Sequence, residues 1–136
     1  MPASVNPIFA LTPKIGFVTL TAANTATDGT GTVGTLYTAG GNGGRVDRVR
    51  FIPLGTNIAT KAYLFLNNGA SQAVAANNSL ILDLPLPGTT ASNTALIGTP
   101  FLSVFNRALK AGHIINATLA TAVATGWKIT AYAGDF

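Results

Sequence analysis

The sequence predicts an all-β protein, an antiparallel β-sandwich or jelly-roll with an extended N-terminal arm. Short apolar segments recur at even spacing along the 136 residues, Gly, Asn and Pro separate them, and no segment carries a long helical stripe. Strands at such spacing are typical of a sandwich or a barrel. A chain of this length fits one domain. We place this domain at residues 15–136 and the arm at residues 1–14.

Three prolines define the N-terminal arm, MPASVNPIFALTPK. Proline cannot donate a hydrogen bond to a β-ladder, and it favours an extended residue before it. The apolar centre of the arm contains Ile8, Phe9 and Leu11. These side chains would gain by packing on a neighbouring subunit, which makes them candidate contacts in a homotrimer. The alternative is that the arm packs along its own sandwich.

Eight segments have the composition of strands. They are residues 15–21, 32–39, 45–54, 60–68, 79–86, 99–105, 113–119 and 126–133. The segment at 79–86 alternates strictly, so one face should carry four leucines. These are Leu80, Leu82, Leu84 and Leu86. The segment at 60–68 is apolar on both faces, which predicts a central strand or one beneath an interface. The segment at 45–54 does not keep one phase, which predicts a β-bulge or burial on both sides. Helical turns are expected at 70–78 and 106–112, and the alanine-rich run at 117–125 is ambiguous.

A glycine motif lies between the first two predicted strands. Gly29, Gly31 and Gly34 follow the G-x-G-x-x-G spacing of dinucleotide-binding loops. Such loops need a buried strand before the first glycine and a helix after the third. Here Thr, Val and Tyr follow, which favour a strand. We therefore expect these glycines to serve backbone geometry rather than phosphate binding, with Asp28 forming an Asx turn.

The composition indicates extensive protein contact at the surface. The chain is 48% hydrophobic and only 9% charged, against about 25% charged residues in an average soluble protein. A free monomer usually carries more charge for solubility. Because the sequence has no cysteine, disulfides and thiolate metal sites are excluded. We expect no signal peptide and no membrane span, since no apolar run approaches about 18 residues.

A basic cluster lies in the third predicted strand. Of eight basic residues, which outnumber four acidic ones, three are Arg45, Arg48 and Arg50. Arg48 and Arg50 should share a face, unless a bulge intervenes, with Asp47 pointing away. That face is a candidate contact for an acidic protein surface. The alternative is a structural role, in which the arginines pair with Asp47 and neighbouring carbonyls, and Asp135 is a further candidate partner for Arg48. Stacking aromatics are scarce in this segment, so nucleic-acid binding is not expected.

The sequence offers little for catalysis. It contains no glutamate, four separated aspartates and a single histidine, His113. A nucleophile motif and a second histidine for a metal pair are both missing from the sequence. We therefore expect no enzyme, no catalytic residue, no metal site and no cofactor. Trp127 should lie in the core, although an exposed Trp127, Tyr132 or Tyr37 would suit a sugar platform.

Five motifs spread over the chain form a set. They are Thr21–Thr25, Asp28–Gly31, Arg45–Val49, Leu64–Gly69 and Gly134–Phe136. Together they resemble a family of small virion proteins encoded by tailed bacteriophages, in which Thr-Ala-Asn-Thr leads to Asp-Gly-Thr-Gly and the chain closes on Gly-Asp-aromatic. RVDRVRF is the most specific motif, and the resemblance covers nearly the whole chain after the arm. The segment TKAYLFL departs from the family, which would place an arginine near Tyr63.

The resemblance implies a structural protein of the phage head, a capsid decoration or cement protein with a β-sandwich or jelly-roll core. Such proteins form homotrimers over junctions of the major capsid protein, so the implied location is the capsid surface. The implied partners are the major capsid protein and further copies of the chain, without nucleic acid or membrane. Six residues are candidate capsid or subunit contacts. They are Ile8, Phe9, Leu11, Arg45, Arg48 and Arg50. The alternative is a tail or fibre module that binds a host receptor or glycan.

Overall fold

The computed structural model describes residues 10–98 and 101–136, and folds them into eight strands. The strands are β1 (Thr12–Leu20), β2 (Gly34–Thr38), β3 (Gly44–Pro53), β4 (Thr60–Asn67), β5 (Asn78–Leu86), β6 (Phe101–Leu109), β7 (Ile114–Leu119) and β8 (Trp127–Asp135). A 3₁₀ turn, Ala75–Asn77, precedes β5. Each of the eight predicted segments overlaps one of these strands.

Two four-stranded antiparallel sheets pack face to face. Sheet A has the strand order β1-β8-β3-β6, and sheet B has the order β2-β7-β4-β5. This is the strand order of an eight-stranded jelly roll, a sandwich built from two Greek keys. The predicted fold class is therefore confirmed. β4 lies inside sheet B between β7 and β5, as its two apolar faces predicted.

The predictions for two segments, 106–112 and 12–14, are wrong. The helical turn expected at 106–112 is instead the end of β6 and a tight turn, because the ladder with β3 continues to the pair Gly44–Leu109. β1 begins at Thr12, within the predicted arm, because pairing with β8 already starts there. The N–H of Leu11 adds a hydrogen bond of 2.8 Å to the carbonyl of Asp135. The candidate contacts Ile8 and Phe9 lie outside the described residues.

β-Bulges account for the irregular patterns in two strands. β3 carries a bulge between Val46 and Arg48, so that Val46 and Val49 both face the core, and this confirms the predicted bulge. In β5, Ile81 is skipped in the pairing with β4. An extra residue reverses the alternation of a strand. Leu80 is therefore exposed, and the prediction of four leucines on one face is wrong at that residue.

The core fills the space between the two sheets. Its largest fully buried side chains come from both sheets, and Trp127 at the start of β8 is the biggest of them. Others are Phe51, Leu64, Ile115 and Ile129. Full burial of one such side chain stabilises the fold by about 1.5–3 kcal/mol. The prediction that Trp127 is a core residue is confirmed.

The outer face of sheet B is partly covered by the chain's own loops. The β1–β2 and β4–β5 loops leave the sandwich at opposite ends. Nevertheless, the side-chain amide of Gln72 in the β4–β5 loop donates to the carbonyls of Gly29 and Gly31 in the β1–β2 loop. The two loops therefore run across sheet B. Beneath them Phe65 of β4 and Asn116 of β7 are paired and buried.

The first part of the glycine motif forms a turn. Gly29 and Gly31 both have a φ of +83°, a left-handed conformation that glycine adopts without steric cost. The Oδ1 atom of Asp28 accepts hydrogen bonds from the backbone N–H (3.0 Å) and the hydroxyl (2.6 Å) of Thr30. This confirms the predicted Asx turn.

The third glycine of the motif allows two strands to approach closely. Gly34 begins β2, so the motif runs into a strand and presents no helix N-terminus to a phosphate. A Cβ atom at Gly34 would lie 2.9 Å from Cγ2 of Val18 and 3.0 Å from Cδ2 of Leu20. These distances argue against alanine at this position.

We expect Gly34→Ala to destabilise the fold by about 1–3 kcal/mol, the usual cost of overpacking a close contact. Urea denaturation followed by tryptophan fluorescence measures this free energy of unfolding, because Trp127 lies in the core. The control is Gly41→Ala, since a Cβ atom there meets nothing within 4 Å. Equal stability of the two variants would contradict the close approach of β1 and β2.

A single buried asparagine, Asn57, ties together three loops at one end of the sandwich. Its Oδ1 atom accepts hydrogen bonds from the backbone N–H groups of Thr125 (3.0 Å) and Gly126 (2.8 Å). Its amide nitrogen donates to the carbonyl of Gly126 (3.0 Å) and to the hydroxyl of Thr89 (3.3 Å). Because these groups are buried, water could not replace the Asn57 side chain as their hydrogen-bond partner if that side chain were removed.

We expect Asn57→Ala to lower the free energy of unfolding by about 2–4 kcal/mol, since several buried polar groups would be left without a hydrogen bond. Chemical denaturation measures the loss. Asn93→Ala is the matched control, because Asn93 is exposed in a loop at the same end. A loss at Asn57 no larger than that of the control would show that the network does not hold the loops.

Candidate binding face

The outer face of sheet A, the side turned away from the core, is built from β1, β8 and β3. Strand pairing aligns Ile15 with Tyr132 and Tyr132 with Arg48. The next row aligns Phe17, Thr130 and Arg50 in the same way. Side chains of residues that pair directly lie on the same side of a sheet. Apolar, aromatic and basic side chains therefore meet on one surface.

The β1 edge of this face is apolar and exposed. Leu11, Ile15 and Phe17 are 81%, 61% and 63% exposed. Ile15 and Phe17 alternate with inward residues of β1 and so lie on its outer side, and Leu11 directly precedes the strand. Single exposed apolar residues are ordinary, whereas neighbouring ones at a sheet edge are typical of an interaction surface.

The basic side chains beside this edge lie over aromatic rings. The guanidinium carbon of Arg48 is 5.3 Å from the ring centre of Tyr132, and Nζ of Lys128 is 5.1 Å from that of Phe17. A cation–π contact at an exposed site contributes about 0.5–1 kcal/mol. These contacts hold the charged groups flat over the sheet. Arg50 lies on the same face and is exposed.

Each of the four acidic side chains already has another partner. Asp47 pairs with Arg45 (3.1 Å), Asp83 with Lys61 (3.1 Å) and Asp135 with Lys14 (2.6 Å). The fourth, Asp28, accepts hydrogen bonds from Thr30. Within the described parts of the chain, three basic side chains on the outer face of sheet A thus lack a carboxylate side chain as partner. They are Arg48, Arg50 and Lys128.

The structure divides the predicted arginine cluster. Arg45 binds Asp47 and also donates to Oδ1 of Asn106, which is the structural role considered as the alternative. Arg48 and Arg50 share the outer face, as predicted. Sequence reasoning missed Lys128, which lies on this face only because β8 pairs between β1 and β3.

At the edge of the sandwich, Asp135 joins β8 to β1 and β2. Its carboxylate accepts hydrogen bonds from the Tyr37 hydroxyl (2.6 Å) and the Gly40 N–H (3.1 Å), besides the ion pair with Lys14. The predicted pairing with Arg48 is wrong, because Arg48 lies on the outer face. The hydrogen bond from Lys14, followed by that from Tyr37, holds the pKa of Asp135 below its usual value. Burial and the adjacent carboxylate raise the pKa of Tyr37, so the phenol stays a donor.

The described residues contain no group of three or more His, Cys, Asp or Glu side chains that could hold a metal ion. His113 stands directly before β7 and donates its N–H to the carbonyl of Lys110 in a turn. Trp127 and Tyr37 are buried, so neither presents a ring to a sugar. In the same part of the chain, no helix is long and apolar enough to cross a membrane.

No protein-family model matches the chain, and no curated protein is significantly similar to it. The outer face of sheet A and the five motifs therefore carry the functional inference.

We expect Asp135→Asn to reduce stability at neutral pH and to flatten its dependence on acid. The folded-state pKa of Asp135 lies below the unfolded value of 3.8. The carboxylate therefore stabilises the fold above that pH, and the contribution is lost as the pH falls through the folded-state pKa. Unfolding free energies of both proteins between about pH 6 and pH 2 should converge at the acid end.

The control for this experiment is Asp83→Asn, because the Lys61–Asp83 pair is about half exposed and such pairs contribute little. If both variants lose stability equally, the contacts of Asp135 do not hold the edge of the sandwich.

Proposed function

We propose that this protein is a non-enzymatic virion structural protein, a capsid decoration or cement protein that binds a phage head through its major capsid protein. The outer face of sheet A carries this proposal, because it combines exposed apolar side chains with basic groups that have no carboxylate partner. The jelly-roll fold is compatible with the role, although a fold alone does not define a function. The resemblance carried by RVDRVRF and the four other motifs supplies the identity of the partner.

The face suits a partner with an acidic, partly apolar surface. Arg48 and Arg50 project from a central strand of sheet A, and Lys128 from its neighbour. Guanidinium groups bind carboxylates through two parallel hydrogen bonds, which adds orientation to attraction. The apolar edge at Ile15 and Phe17 would supply burial, while the charges set the approach and register of the partner.

The chain would act as a homotrimer over a junction of capsid subunits, as the resemblance implies. Ile8 and Phe9 of the arm remain predicted contacts, and Leu11 begins the apolar edge described above. Stabilisation of the shell then follows from mass action, because a protein that binds only the assembled lattice shifts the equilibrium toward it. No step of this mechanism requires a catalytic group.

We expect the double variant Arg48→Ala, Arg50→Ala to bind the capsid about tenfold more weakly, since two exposed ion pairs would be lost at up to about 1 kcal/mol each. The measurement is occupancy of heads that lack this protein, titrated with purified chain. Binding of the unaltered protein should also weaken with salt, because charges are screened beyond about 8 Å at physiological ionic strength.

The matched control is Arg107→Ala with Lys110→Ala, which removes the same charge away from the face and should leave occupancy unchanged. Salt-insensitive binding, or equal loss in both double variants, would show that Arg48 and Arg50 do not contact the capsid. Electron cryomicroscopy of the particle provides the second test, because density for this chain on the tail or a fibre would contradict the head location.

A further inference from the structure

One end of the sandwich is nearly free of charge. Leu20 and Pro53 both pair with Trp127, so the ends of β1 and β3 and the start of β8 lie at this end. Four loops leave the sheets there, at residues 21–33, 54–59, 87–98 and 120–126. These loops contain one charged residue, Asp28, out of the twelve in the chain. We call residues 54–59, 87–98 and 120–126 the loop end, and this surface carries no charged side chain.

Exposed apolar side chains lie on this loop end. Ile58 is 61% exposed and Leu96 is 85% exposed, and Leu54 is also exposed. A groove of about 280 Å³ separates the end of β3 from residues 95–98, and its walls are mostly apolar. The surface between these side chains is formed by Thr, Ala, Ser, Asn and Gly. Apolar centres without charge are typical of contacts between subunits.

Hydrogen bonds join the three segments of the loop end to one another. Asn57 and Thr89 exchange two backbone hydrogen bonds, of 3.1 and 2.9 Å. The N–H of Leu54 donates to the carbonyl of Gly126 (3.0 Å), and the side chain of Asn57 joins the same loops from inside. A surface that is already ordered loses little conformational entropy on binding.

The charge distribution indicates which partner fits this end. A partner with charged side chains would have to strip water from them against a surface that offers no counter-charge, which is costly. The partner's surface must therefore also be uncharged. A second copy of this chain provides such a surface at its own loop end. The net charge of +4 makes two copies repel each other, and this repulsion is smallest where both surfaces are free of charge.

We propose that the loop end, centred on Ile58 and Leu96, is the contact between copies of this chain. The loop ends of neighbouring copies then contact one another around a closed symmetry axis. Lys61 and Lys128 occupy the second positions of β4 and β8, at the rim of this end, where they stay hydrated. The contact leaves the outer face of sheet A free for another partner. It explains a chain with only 9% charged residues and does not depend on capsid binding.

Ile58→Asp with Leu96→Asp tests the contact by placing two charges in it. Sedimentation velocity over a range of concentrations should show oligomers for the unaltered protein and about a tenfold or greater rise in the dissociation constant for the variant. Val74→Asp with Leu80→Asp is the matched control, because both residues are exposed and apolar but lie away from the loop end. Leu11→Asp separates the loop end from the arm as the site of contact, and it should leave the oligomer intact.

Cross-linking gives a second readout that does not rely on weakening the contact. Because the chain has no cysteine, Leu96→Cys introduces a unique thiol that a short bis-maleimide should join between copies, whereas Val74→Cys should not react in this way. A protein that is monomeric at every concentration would overturn the proposal. So would an oligomer that the Ile58 and Leu96 changes leave intact, or one that Leu11→Asp dissolves. Loss of capsid binding by the arginine variant with an unchanged oligomer would bear on the proposed function alone.

Discussion

The small number of carboxylates determines which charges this protein exposes on its surface. Eight basic side chains share four aspartates, and three of those aspartates form ion pairs within the chain. The surplus positive charge has to appear somewhere on the surface. Strand pairing gathers three of the remaining basic groups on the outer face of sheet A. The basic groups without an acidic partner lie on other parts of the surface, so the loop end carries no charge. It therefore differs chemically from the outer face of sheet A.

The outer faces of the two sheets are covered by loops to different extents. Sheet B is partly covered by long loops joined through Gln72, and buried polar groups such as Asn67 and Asn116 form hydrogen bonds beneath them. Among the described residues, none covers Ile15, Phe17 and Arg48 on the outer face of sheet A, and all three are exposed. A sheet face that carries apolar residues and is left open is costly in water. This asymmetry makes the outer face of sheet A the better candidate for binding a partner.

The strands were predictable from the sequence because their signals are local. Gly, Asn and Pro separate the apolar runs, and the two-faced segment at 60–68 correctly indicated a central strand. The details that create the candidate face are not local. Lys128 joins it through the register of β8, and Leu80 is exposed because a bulge at Ile81 changes the pairing. The sequence alone leaves Arg48 a candidate partner of Asp135, because it does not show that these residues lie on different sides of sheet A.

The ion pair at the edge of the sandwich links the stability of the fold to the geometry of the candidate face. Lys14 and Ile15 are consecutive in β1, so their side chains point to opposite sides of the strand. Lys14 is held by Asp135, which also binds Tyr37 of β2. This anchor fixes β1 from the inner side and so holds Ile15 and Phe17 in line with Tyr132 and Thr130 of β8. An edge strand has hydrogen-bonded partners on one side only, and without the anchor the apolar edge would be the part of the face least constrained by the rest of sheet A.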